Sequence, residues 1–107
     1  MIRGRWMEIE EMQRIGIEVM NKINEKTGCV HCPDSMFLHL AEEVGEVARE
    51  LSKKQVGWRK DFDDEKLGDE LIDVIYTALI IARDEGIDIE AAFLRKVEKV
   101  KKRFELE

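Results

Sequence analysis

Asp73 interrupts the run Leu71-Ile72-Asp73-Val74-Ile75-Tyr76-Thr77-Ala78-Leu79-Ile80-Ile81-Ala82, which otherwise reads as one continuous apolar stretch. A helix that is apolar on every face has to be buried. A carboxylate inside it is costly unless it is paired or bound to a cation. Glu70 stands three residues before Asp73, one turn away on the same helix face. A second pair with the same spacing, Glu43 and Glu46, occurs upstream. Two such helices facing each other gather four carboxylates at one spot. Like charges do not assemble there without a cation, and oxygen donors select a hard divalent metal.

The rest of the chain reads as helix. There is one proline, and turn residues are scarce. The first predicted helix runs from about Trp6 to Glu25, with Ile9, Met12, Gly16, Val19, Met20 and Ile23 in one stripe and Gly28 as its stop. The second begins near Asp34 or Ser35, just after Pro33, and reaches about Lys54. It carries two stripes. Phe37, Leu40, Ala41, Val44, Ala48 and Leu51 form the apolar one, expected to pack, and His39, Glu43, Glu46 and Glu50 form one expected to serve chemistry. The third runs from a cap at Asp63 to about Glu85, with Gly86 as its stop. The fourth starts at Asp88 and continues to about Phe104, with Ile89, Phe93, Val97, Val100 and Phe104 as its core stripe. Nothing marks a domain boundary, so residues 1–107 form a single domain. The fold expected is an all-α, antiparallel bundle of about four helices. A bundle this small cannot cover the third helix on every side. A homo-oligomer, dimer or tetramer, is therefore expected, with part of the third or second helix at the interface.

Charge narrows the function. The formal net charge is −6, with charged residues at 39% of the chain. That balance argues against nucleic-acid and anionic-membrane binding, which need basic surface. The apolar run is too short to span a bilayer, and the N-terminus has no signal-peptide apolar segment. A cytoplasmic location is the expectation.

The segment Leu40-Ala41-Glu42-Glu43-Val44-Gly45-Glu46-Val47-Ala48, followed by Gly68-Asp69-Glu70-Leu71-Ile72-Asp73-Val74-Ile75, resembles the MazG family of all-α nucleoside triphosphate pyrophosphohydrolases. The stretch from Lys96 to Phe104 is similar to the family's final basic motif, and Gly86-Ile87-Asp88 to the turn before it. Val97 departs from the pattern, standing where many members carry Asn, which bears on substrate range. The resemblance covers roughly Met36 to Phe104. It implies hydrolysis of a nucleoside triphosphate between its α and β phosphates, with Mg²⁺ (or Mn²⁺) held by Glu43, Glu46, Glu70 and Asp73. It also favours Lys99 and Arg103 as phosphate contacts. Phosphoribosyl-ATP pyrophosphohydrolase is a close enzymatic alternative. A non-catalytic, metal-binding helical module is the alternative from another class.

Other residues carry competing readings. Lys96, Lys99 and Arg103 line one edge of the fourth helix, as a phosphate clamp or as cations that suit a helix C-terminus. His39, one turn before Glu43, reads as a substrate contact or as a partner of a carboxylate. Trp58, between Gly57 and Arg59, reads as a base-stacking side chain or an interface plug. Gly45, inside a helix at a cost of roughly 1 kcal/mol against Ala, reads as a close helix approach or as room for a ligand. Cys29-Val30-His31-Cys32 reads as a loop with reduced thiols, since one chain offers three of the four ligands a structural zinc needs.

Overall fold

The computed structural model of the chain describes residues 6–28, 35–55 and 63–107, and every regular element among them is helical. The elements are α1 (Ile9–Thr27), α2 (Met36–Gln55), α3 (Asp64–Asp84) and α4 (Ile89–Arg103). The all-α expectation holds, and each boundary lies within a few residues of its sequence signal. Asp63 caps α3, its carboxylate accepting from the Glu65 N–H at 2.9 Å. Asp88 caps α4 by accepting from the Ala91 N–H at 3.1 Å. Gly28 ends α1 at φ 77°, the left-handed conformation that a residue without Cβ adopts freely.

The centre of the molecule is the contact between α2 and α3, with α1 crossing α3 more briefly. Hydrogen bonds tie α1 to α3 where they cross. Gln13 Nε2 donates to the Leu79 carbonyl at 2.8 Å, and the Tyr76 hydroxyl donates to the Gly16 carbonyl. Gly16 makes room for that approach: a Cβ there would sit 2.6 Å from the Tyr76 ring. Burial lifts the Tyr76 pKa above its ordinary value, against an opposing bond from the Met20 backbone. Among the described residues, the buried apolar side chains are Met36 on α2 and Leu79, Ile80 and Ala82 on α3. The start of α4 faces the start of α1 across a cleft lined by Ile9, Gln13, Ile89 and Leu94.

One expectation from the sequence fails within this chain, and a second bears on what a single copy can cover. The faces of α2 are reversed. The acidic stripe of Glu43, Glu46 and Glu50 is turned inward, whereas Phe37 (65% exposed), Ala41, Val44 (50% exposed), Ala48 and Leu51 face out. As expected of a single copy, α3 is not buried all round. Thr77, Leu79, Ile80 and Ala82 are covered, but Leu71, Ile72, Asp73 and Ile75 are exposed. The physical reason is supply: α1 and α2 cover only one side of α3, and α4 does not pack along it. The cost of burying a lone carboxylate therefore does not apply to Asp73 in the single chain. The acid that does incur it is Glu50, at 2% exposure.

Candidate functional site

α2 and α3 run antiparallel, and the opposed side chains show the register. Glu43 offers a carboxylate oxygen within 4.8 Å of one on Asp73, Glu46 acts most strongly among the charges on Glu70, and Glu50 pairs with Lys66. Numbers rise along α2 as they fall along α3. Helical spacing of three to four residues turns each of these positions toward the facing helix. The result is three rungs: two made only of acids, and a third of acid against base.

Glu43, Glu70 and Asp73 each offer a carboxylate oxygen, and these lie within 4.8 Å of one another. An octahedral Mg²⁺ with ligands at ~2.1 Å sets its oxygens ~3 Å apart in cis and ~4 Å in trans. The three acids thus need only small adjustments to share one cation. Glu46 is not in this convergent trio, although its charge is felt at Glu70.

The electrostatics agree with a site built for positive charge. Burial first, then the Asp73 carboxylate, raises the Glu43 pKa above its ordinary 4.5, with His39 opposing. Burial, followed by Glu46 and Asp73, raises Glu70 likewise, with Lys66 opposing. Burial pushes Glu50 the same way, but the Lys53 and Lys66 ammonium groups outweigh it and leave its pKa below 4.5. At the first two acids the nearby base does not offset burial and like charge, whereas at the third the two ammonium groups do.

Around this centre, His39 sits between two acids, Nδ1 3.7 Å from Glu42 Oε1 and Nε2 3.6 Å from Glu43 Oε1. His39 thus stands beside carboxylates, one of the two readings its position offered, with Glu42 at the rim. A Cβ on Gly45 would meet nothing within 4 Å, so close helix approach inside the chain does not explain that glycine. Lys96, Lys99 and Arg103 are exposed on α4, and no ion pair among the described residues joins them to the acids. Arg103 lies over the Phe104 ring, 5.8 Å from its centroid. Trp58 and Cys29-Val30-His31-Cys32 lie outside the described residues.

Lys66 and Lys53 were not marked by sequence reasoning, and Glu50 was marked only as part of a stripe. A signal was available. Lys66 precedes Glu70 by one turn, and Glu50 follows Glu46 by one turn. Once the two acidic pairs are opposed antiparallel, these positions must face each other.

An antiparallel helix pair that converges carboxylates at one point offers the oxygen donors that suit a hard divalent cation. Residues 31–105 match the MazG nucleotide pyrophosphohydrolase domain. The chain therefore belongs to that family, as the resemblance in its acidic motifs implied. No curated protein and no solved structure matches it significantly. No helix among the described residues is long and apolar enough to cross a membrane.

Proposed function

We propose that this chain hydrolyses nucleoside triphosphates, ribose or deoxyribose, to the monophosphate and pyrophosphate, clearing unwanted nucleotides from the pool. The observation that carries the proposal is the convergence of Glu43, Glu70 and Asp73 in a family of nucleotide pyrophosphohydrolases. Glu43, Glu70 and Asp73 would hold Mg²⁺ (or Mn²⁺), with Glu46 completing the set from the adjacent rung. The bound cation supplies neutralisation of phosphate charge and a more acidic water. The chain's own groups orient the polyphosphate and fix the carboxylates. Burial first, and neighbouring carboxylates second, raise the pKa values of Glu43 and Glu70, and a cation relieves the repulsion among them.

Lys96, Lys99 and Arg103 are proposed phosphate contacts, with His39 at the rim and Trp58 against the base. Exposed apolar side chains support a homo-oligomer. Phe37 and Val44 project from α2, and a groove of about 250 Å³ between α1 and α3 is lined by Met12, Ile15, Val19, Ile72 and Ile75. A dimer or tetramer would cover these surfaces and bring the α4 cations of one copy within reach of the acids of another.

The test is product analysis with a panel of NTPs and dNTPs in Mg²⁺. Pyrophosphate release supports the proposal. Turnover of phosphoribosyl-ATP alone selects the related activity, and cation binding with no turnover selects a non-catalytic module. Sedimentation of wild type and Val44→Glu tests assembly: a multimer that the variant reduces to monomer is expected, and a monomeric wild type overturns it.

A further inference from the structure

We infer that Glu50 is a positioning residue, whose carboxylate, joined to Lys66 across the helices, sets the register that brings Glu43, Glu70 and Asp73 together. The inference rests on the proposed cation site and adds to it a residue outside the acidic motifs. Glu50 is 2% exposed, the most buried charged group among the described residues. Its Oε2 carries both contacts, 3.1 Å to Lys53 Nζ and 3.5 Å to Lys66 Nζ. Its Oε1 is buried with no hydrogen-bond partner. A carboxylate so placed is a poor device for stability, since a buried pair rarely outperforms apolar packing. Its attested value lies in specifying one arrangement over its neighbours.

The two lysines differ in what they can specify. Lys53 lies on the same helix as Glu50, so its contact says nothing about how α2 meets α3. Lys66 lies on α3, one turn before Glu70, and Glu50 lies one turn after Glu46. The Glu50–Lys66 rung therefore sits next to the Glu46–Glu70 rung, and the only attractive rung among the three is the one that can hold the repulsive two in line. A slip of one turn would oppose Glu50 to Glu70, acid against acid, and would leave Lys66 without its buried partner. Burial of the Oε2 end limits that freedom in a way an exposed pair does not. Groups of this kind, which orient metal ligands from outside, typically change metal affinity 10- to 100-fold when removed.

Mn²⁺ binding to the full chain, followed by calorimetry alongside thermal unfolding, separates positioning from its rivals. Glu50→Gln and Lys66→Met are each expected to weaken Mn²⁺ binding ~10-fold, and Lys53→Met is expected to bind near the wild-type level. The sign for Lys66→Met is decisive. Through-space electrostatics predicts tighter binding when a cation beside Glu70 is deleted, whereas loss of register predicts weaker binding. A purely structural role would lower the unfolding midpoint and leave affinity unchanged. If Glu50→Gln fails to fold, Lys66→Met, whose side chain is 52% exposed, carries the test. Wild-type affinity in Glu50→Gln, or unchanged or tighter binding in Lys66→Met, overturns the inference. Mn²⁺ binding by the wild type without nucleotide turnover defeats the proposed function and leaves the inference standing. Failure of the wild type to bind Mn²⁺ defeats both.

Discussion

The Glu43 carboxyl offers an oxygen within 4.8 Å of one on Asp73, across an antiparallel helix contact that also brings Glu70 into the same space. Two carboxyls that close share a proton or share a cation. That choice gives the site measurable consequences.

Stability should depend on pH in opposite senses at the two ends of the ladder. Glu43 and Glu70 have folded-state pKa values above 4.5. Between the unfolded and folded pKa the native state binds more protons than the unfolded chain. Their contribution to stability is present below the unfolded value and lost as pH rises through the folded one. Glu50 is depressed, so its contribution is present above 4.5 and lost as pH falls through its folded pKa. Cation-free protein should thus gain stability on acidification from neutral pH toward 4.5, then lose it below. Urea midpoints across that range check this. A monotonic loss on acidification from neutral pH would count against the raised pair.

Divalent cation should stabilise the fold and remove the upper part of that pH dependence, since the cation replaces the proton as the partner of Glu43 and Glu70. At a cation concentration 100 times Kd the gain is about 2.7 kcal/mol. For a domain near this size each kcal/mol moves Tm by roughly 4–8 °C. Thermal unfolding with Mg²⁺ and with EDTA measures it. Equal midpoints in the two would contradict a cation site between α2 and α3.

Gly45→Ala should raise helix stability in the separated chain by about 1 kcal/mol, because the added methyl meets nothing within 4 Å. If the open space serves substrate or a second copy, the same change should lower kcat/KM or weaken assembly. Unfolding midpoint, turnover and sedimentation on one sample separate these outcomes. A more stable, fully active and normally assembled variant would leave that glycine without a functional role.

Much of the fold was legible in the sequence, because caps and stops are local chemistry. Asp63, Asp88 and Gly28 do at each helix end what their side chains or backbone freedom dictate. That Glu43, Glu70 and Asp73 converge was legible for a similar reason, since three-residue spacing puts a pair on one face whatever surrounds it, but Glu46 stands outside that trio. Which face turned inward was not legible. Apolar residues on α2 marked a packing surface, but helical periodicity does not say whether the surface meets this chain or another. Asp73 is exposed in the single chain for the same reason, since covering α3 depends on how many helices reach it. Glu50 and Lys66 needed the antiparallel register, a relation between two helices that no single segment encodes.

The most direct test of the central claim is product analysis by phosphorus NMR with a nucleoside triphosphate and Mg²⁺, comparing wild type with Glu46→Gln and Asp73→Asn. Wild type should give monophosphate and pyrophosphate. Each variant should be slowed by more than ~100-fold, beyond what loss of an outer partner of a metal ligand costs. Orthophosphate in place of pyrophosphate, or normal turnover in both variants, would contradict it.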